Sequence, residues 1–364
     1  MRRVAVITAL FALGCLLAGP VHAAQPVGGP TSAPPPAAVA PAPAPSWAAA
    51  QIEAVVSAGV LGTDVDSFRP DDPLTRGELF EVLTALGKTV QEPADPERTV
   101  TMRELDAQIV GALGLLPSAR RFRLAARDAG LQPTGMLGTE TVARLLGLRL
   151  NHPQGQDELE LSPNQPATRA EAAYSFARVL QLGPDTLAYV DQLSQGFAIP
   201  QLTDWQRTVL ARALRFVGYP YVWTGVSEKR QKLWSSTAPG GLVSAPGGFD
   251  CSGFVWRVYK LQPFAGAPLL TEILKGRTTY AMSGEVQKAA RIPMADLQPG
   301  DVVFFGSRGV RSKPADVGHM GIYVGGGWMV HSSDNGTTLV PMQGWYAKTF
   351  AWGRRPLAEA GLTA

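Results

Sequence analysis

Apolar residues recur at helical spacing from Ser46 onward. Trp47, Ile52, Val55, Val56 and Val60 share one face, and Ser46 is placed to cap the first turn. The loop Gly62-Thr63-Asp64-Val65-Asp66-Ser67-Phe68-Arg69-Pro70-Asp71-Asp72-Pro73 then leads to a second helix, whose face is Leu79, Val82, Leu83 and Leu86. Thr75 and Glu78 at its start form a capping box, in which each side chain satisfies a backbone N–H of the other residue. The same start returns at Thr168 and Glu171, ahead of Ala172, Phe176, Val179 and Leu180, and in weaker form at Thr101 and Glu104. A loop-helix unit recurring in this way predicts a repeated region over 46–182, with a first copy at 46–87, a degenerate middle copy and a last copy ending at 182. Residues 183–201 read as a linker holding a short helix from Asp185 to Leu193.

Beyond the linker the pattern changes. Trp205, Val209, Leu210, Ala213 and Val217 mark an amphipathic helix from Asp204 to Val217. Tyr221 to Gly225 is short and extended. Phe254, Val255, Val258 and Tyr259 give the buried face of a helix that begins at or just before Cys251. Asp301 to Phe305 is a strand, and the runs Gly318–Val324 and Trp328–Ser332 flank Gly325-Gly326-Gly327 as a hairpin. Ser227 to Gly248 fits none of these elements. With Lys229, Arg230, Lys232 and Trp234 it reads equally as a lid or groove wall for an acidic peptide and as a solvated loop.

The N-terminus bears on the compartment. Arg2 and Arg3 precede an apolar run from Val4 to Leu17, and Val21-His22-Ala23 supplies a small-residue cleavage site, so residues 1–23 are expected to be a secretory signal peptide. The alternatives are a membrane anchor, for which the run is shorter than the roughly 20 residues a spanning helix needs, and a lipoprotein processed at Cys15. Residues 24–45, almost wholly Pro, Ala, Gly and Val, form a semi-rigid spacer. The length of 364 residues suggests two or three domains. A formal charge of +3, to which Arg2 and Arg3 contribute, with no basic block, speaks against a nucleic-acid partner.

Processing simplifies the chemistry. Cys15 and His22 leave with the signal, so Cys251 is the sole thiol, and His152, His319 and His331 are the remaining imidazoles. One thiol builds no internal disulfide. At a helix N-terminus it meets the positive end of the macrodipole and free N–H groups, which lower its pKa and make it a nucleophile. Asp250 and Ser252 flank it, and backbone N–H groups there can cradle an oxyanion. His319 opens one strand and His331 closes the other, so both fall at the same end of the hairpin, as a base and the group orienting it would. The plainer readings are a buried structural cysteine and two hydrogen-bonded strand histidines. A zinc site on these three residues is also conceivable, but no metal-ligand spacing surrounds the cysteine, so neither metal nor cofactor is expected.

Two resemblances organise these features. Trp47 to Gly87, with its Gly-Thr-Asp-Val-Asp-Ser-Phe-Arg-Pro loop and Thr75-Arg76-Gly77-Glu78, resembles an S-layer homology module. The last copy keeps Thr168-Arg169-Ala170-Glu171 but carries Leu-Ser-Pro in place of Phe-x-Pro, and the middle copy lacks the Thr-Arg pair. The resemblance implies noncovalent attachment to a secondary wall polysaccharide, with Arg76 and Arg169 as contacts; otherwise the motif only caps helices. Downstream, Tyr221-Val222-Trp223-Thr224-Gly225, Phe249-Asp250-Cys251-Ser252-Gly253, Leu297-Gln298-Pro299-Gly300-Asp301-Val302-Val303-Phe304-Phe305, Gly318-His319-Met320-Gly321-Ile322-Tyr323 and Val330-His331-Ser332 run in the order of the NlpC/P60 cysteine peptidases. That resemblance implies a papain-like α+β domain over 202–356 with a tail at 357–364. It also implies Cys251 as nucleophile, His319 as base, His331 as the third polar member, and Tyr221 shaping the site. The substrate implied is the γ-D-glutamyl bond to the diamino acid of a peptidoglycan stem peptide, cut through a thioester. Thr224 displaces a family glycine, and the 227–248 insertion is a further departure. The alternatives are an inactive wall-binding protein and an amidase or acyltransferase of the same superfamily. A secreted, wall-associated enzyme of this kind would lose wall retention, but not free-peptide cleavage, on removal of residues 46–182.

Overall fold

The computed structural model describes residues 46–153, 155–234 and 239–362. The expected signal peptide and spacer lie outside the described residues. All that is described belongs to one compact unit, Pro45–Ala364.

The N-terminal half is helical: α1 (Ala49–Ser57), α2 (Arg76–Ala85), α3 (Met102–Ala112), α4 (Leu116–Asp128), α5 (Leu137–Leu145), α6 (Arg169–Gln181) and α7 (Pro184–Gly196). Helix α1 opens at Ala49 rather than at Ser46. Ser46 still serves the entry, its carbonyl accepting the Ala49 N–H at 3.0 Å and its hydroxyl oxygen the Ala48 N–H at 3.3 Å. Thr75 and Thr101 close full capping boxes with Glu78 and Glu104. Thr168 accepts the Glu171 N–H, but the Glu171 carboxylate turns away to His152, with Oε1 3.3 Å from its Nε2.

The three cap segments join in a ring, which accounts for the repeat. The Leu74 N–H donates to the Ala167 carbonyl (2.8 Å), the Ala167 N–H to Val100 (2.8 Å), and the Val100 N–H to Leu74 (2.9 Å). One step on, the backbone N–H of Arg76 donates to the Arg98 carbonyl, that of Met102 to Gln165, and that of Arg169 to Asp72, closing the ring in the opposite sense. Leu74, Val100 and Ala167 are all buried at the centre. The middle copy, degenerate in sequence, is therefore a full member of the ring, because the ring is made by backbone groups.

The C-terminal half holds α8 (Asp204–Leu214), β1 (Val226–Ser227), β2 (Gln231–Trp234), β3 (Leu242–Ala245), β4 (Gly248–Phe249), α9 (Cys251–Tyr259), α10 (Leu270–Ile273) and α11 (Thr279–Gly284). After these come β5 (Val302–Gly306), β6 (Val317–Gly325), β7 (Trp328–Ser333), β8 (Gly336–Pro341), α12 (Trp345–Thr349), β9 (Phe350–Arg354) and α13 (Pro356–Glu359). An antiparallel sheet in the order β8-β7-β6-β5-β9 packs α9 on one face. Val302, Phe304, Met320, Ile322 and Val330 meet Phe254, Val255 and Val258 there, and Val303, Phe305, Met329 and Val340 form a smaller cluster on the other face. This is the α+β papain-like arrangement, preceded by a mainly α region.

Three expectations are revised by packing. The 183–201 linker is mostly helix α7, docked on α4 through Asp191, which accepts from Ser118 and Arg121 at 2.6 Å each. Residues 357–362 are not a loose tail, since Leu357 is buried and Glu359 pairs with Arg354 at 2.9 Å. The described part of the 227–248 insertion is organised, β1 pairing with β4 and β2 with β3.

Candidate active site

Helix α9 starts at Cys251 because Asp250 caps it. The carboxylate accepts the Gly253 N–H, and the Ser252 hydroxyl donates to it at 2.9 Å. Gly253 is required by close approach: a Cβ there would lie 1.9 Å from the Gly225 carbonyl oxygen. Arg277 completes the cluster, pairing with Asp250 at 3.0 Å and donating to the Ser252 hydroxyl (2.7 Å) and the Thr224 carbonyl (3.0 Å).

The thiol of Cys251 is buried. Burial, reinforced by the Asp250 charge, pushes its pKa up to about 12, against the opposing pull of the Ser252 and Met320 N–H groups and Arg277. The lowering expected from the helix terminus is thus outweighed by desolvation.

The register of the sheet explains how this thiol reaches the histidines. Strand β6 pairs with β7 only from Gly321, opposite His331. Beyond that point β7 turns toward the cysteine segment, the Ser332 hydroxyl donating to the Phe249 carbonyl at 2.7 Å. The Met320 N–H, left at the gap, is directed at the Cys251 sulfur, one residue from His319. His319 Nε2 lies 2.7 Å from His331 Nδ1, with the rings at 82°. His331 is fully buried and His319 half-buried, in an aromatic nest of Phe305, Trp345 and Tyr346. The Tyr346 hydroxyl stands 3.4 Å from His331 Nε2. Burial lowers the His319 pKa to about 4 and holds His331 well below 6.5, with the charge of a protonated His319 lowering it further. Thiol and imidazoles are each favoured in their neutral forms.

Tyr221 is half-buried, and burial, reinforced by nearby acidic groups including Asp250, pushes its hydroxyl pKa upward. His152 lies apart, its ring edge-on to Trp47 at 4.5 Å. Among the described residues no cluster of three or more His, Cys, Asp or Glu is arranged to hold a metal.

The two wall-polymer candidates differ. Arg169 is buried and committed: its guanidinium pairs with Glu78, donates to the Phe68 carbonyl at 2.8 Å and lies 4.7 Å over the Phe68 ring. It is not free to meet a polymer. Arg76 is partly exposed and pairs with Asp95 (2.6 Å) and Glu104 (3.2 Å) at the wall of a cavity of about 620 Å³ between α2 and α3. Sequence reasoning missed Arg277 and Tyr346, which carry no local motif.

Residues 218–355 match the NlpC/P60 family model, and residues 43–80 match that of the S-layer homology domain. The C-terminal half is thus an NlpC/P60 domain, and the N-terminal half opens with an S-layer homology domain. A protein of Mycobacterium tuberculosis named "Probable endopeptidase" is 36% identical over 149 residues, 40% of this chain and 29% of that protein. The "Gamma-D-glutamyl-L-lysine dipeptidyl-peptidase" of Bacillus subtilis is 31% identical over 125 residues, 34% of this chain and 31% of that protein. The chain thus spans less than a third of the length of either relative. A solved NlpC/P60 family protein from Bacillus cereus aligns at 24% identity and TM-score 0.31, covering 44% of this chain and 43% of that one.

Proposed function

We propose that residues 202–356 act as a cysteine endopeptidase on peptidoglycan stem peptides outside the cell, and that residues 46–182 hold the protein at the wall. The observation that carries the catalytic reading is the Cys251 sulfur placed at the Met320 amide, beside a His319–His331 pair joined at 2.7 Å. His331 Nδ1 engages His319 Nε2, which fixes the ring and leaves Nδ1 of His319 to serve the thiol.

The reaction then runs by acyl transfer. As the Cys251 sulfur attacks the scissile carbonyl carbon, its proton passes to His319, and negative charge develops on the carbonyl oxygen. A first-turn N–H of α9 that the Asp250 cap leaves untaken faces that charge. Collapse breaks the C–N bond, and the leaving amine takes the proton from His319. Water, deprotonated by the same imidazole, hydrolyses the thioester and regenerates the thiol. Starting from a neutral pair suits burial, because charge appears only when the substrate is present to share it.

The relative named for the γ-D-glutamyl-L-lysine bond supports the D-glutamyl–diamino acid linkage as the one cut. For the wall, the S-layer homology match and the open position of Arg76 support attachment to a secondary polysaccharide. The test is digestion of purified peptidoglycan by the mature protein and by Cys251→Ala, with muropeptides identified by mass spectrometry. Fragments split at the D-glutamyl–diamino acid bond, absent with the folded variant, are expected. Cleavage surviving in Cys251→Ala would overturn the nucleophile, and none by the reduced wild type would leave a wall-binding protein.

A further inference from the structure

Backbone polar groups near the cleft must find partners, and in the stretch from Gly218 to Trp223 several of them find side chains from the helical half. The Tyr221 N–H donates to Asn151 Oδ1 at 2.6 Å, and the Tyr221 carbonyl accepts from Asn151 Nδ2 at 3.1 Å. The Trp223 N–H donates to Asp157 Oδ1 at 3.0 Å. The Gly218 carbonyl accepts from Arg144 Nη2 at 2.6 Å, while Nη1 of the same residue reaches the Asn335 carbonyl at 2.8 Å. Between Asn151 and the nucleophile lies a single thickness of chain: Tyr221 bridges to Phe249, two residues before Cys251.

Asn151 is itself held firmly. The next residue, His152, donates its N–H to the buried Glu160 carboxylate, contacts Glu171 through its ring and packs on Trp47. The amide that grips Tyr221 from both sides is therefore an outgrowth of the helical core.

From this we infer that Asn151, in the helical half, is a positioning residue for the cleft: its side-chain amide fixes the Tyr221 backbone, and with it the wall against which the substrate lies. The inference rests on the peptidase reading above. It reverses the expectation that the N-terminal region can be removed without affecting cleavage of a free peptide, since removal would strip the Gly218, Tyr221 and Trp223 backbone groups of their partners. Nucleophile and base are held separately, by α9 and by β6 with β7. Asn151 therefore acts on substrate placement more than on the chemical step.

The test uses the full-length protein and a synthetic stem peptide containing the D-glutamyl–diamino acid bond. Asn151→Ala is expected to raise KM about tenfold or more with kcat within a few-fold of wild type, the order of loss that removing two backbone hydrogen bonds corresponds to. Asn151→Asp, which keeps the acceptor for the Tyr221 N–H, should recover part of the loss. A merely structural role would reduce the active fraction, lowering kcat at constant KM. That result, or unchanged kinetics, overturns the inference while leaving the peptidase reading intact. If Asn151→Ala does not fold, Asp157→Ala removes the neighbouring tether, and its KM decides in the same way. An inactive wild type removes the peptidase reading itself, and the inference with it.

Discussion

Glu160 offers a quantitative check on the buried charge at the base of the helical half. Its carboxyl is 3% exposed, and burial, strengthened by Glu171 and opposed by the His152 N–H, Arg144 and Arg149, raises its pKa from 4.5 to about 8. The folded state therefore keeps a proton that the unfolded chain gives up above pH 4.5. Stability should be highest in acid with respect to this group, fall as pH rises from about 4.5 to about 8, and level off once the folded carboxyl also ionises. A displacement of that size corresponds to about 5 kcal/mol, or roughly 10 °C of melting temperature for a chain of this length. Glu160→Gln keeps an acceptor for His152 and removes the titration. Thermal unfolding of both full-length proteins, followed by circular dichroism from pH 5 to pH 9, should show wild type losing ground to the variant up to about pH 8 and holding level beyond it. Parallel curves across that range would refute the assignment.

Further outcomes follow from other contacts. Arg169→Ala should lower stability by about 2 kcal/mol, because it removes a buried guanidinium that bonds the Phe68 carbonyl and pairs with the partly exposed Glu78, and Arg76→Ala should weaken retention on isolated walls at unchanged melting temperature. Chemical denaturation and wall co-sedimentation of the two variants decide both, and an unaffected stability in Arg169→Ala would count against its structural role. Tyr346→Phe removes the hydroxyl facing His331 and should cut kcat roughly threefold to tenfold, the worth of one hydrogen bond; an unchanged kcat would release Tyr346 from the site. With His319 held at about 4, the base stays neutral down to that pH. The acid limb of kcat/KM should therefore fall near pH 4, and an inflection near 6.5 would contradict the burial of the pair.

What was legible in the sequence is what physics makes local. The capping boxes at Thr75 and Thr101 depend on contacts three residues apart, and both formed. The glycine-turned hairpin set the strands bearing His319 and His331, and Asp250 ahead of Cys251 set the start of α9. Contacts made across the chain left no such trace. Arg277 joins Asp250 and Ser252 from a segment without clear periodicity, and Asn151 meets Tyr221 across 70 positions. Arg169 shows the limit from the other side. Its motif marks a helix start, but whether an arginine beside a cap faces solvent or a glutamate of another copy depends on how three copies close into a ring, which no single copy encodes. The thiol repeats the lesson: the helix terminus favours the thiolate, yet the packing that brings Cys251 to Met320 also removes the water that would have stabilised the charge. Where a local preference and burial oppose each other, the outcome is set by the larger energy, and for a buried group that is desolvation.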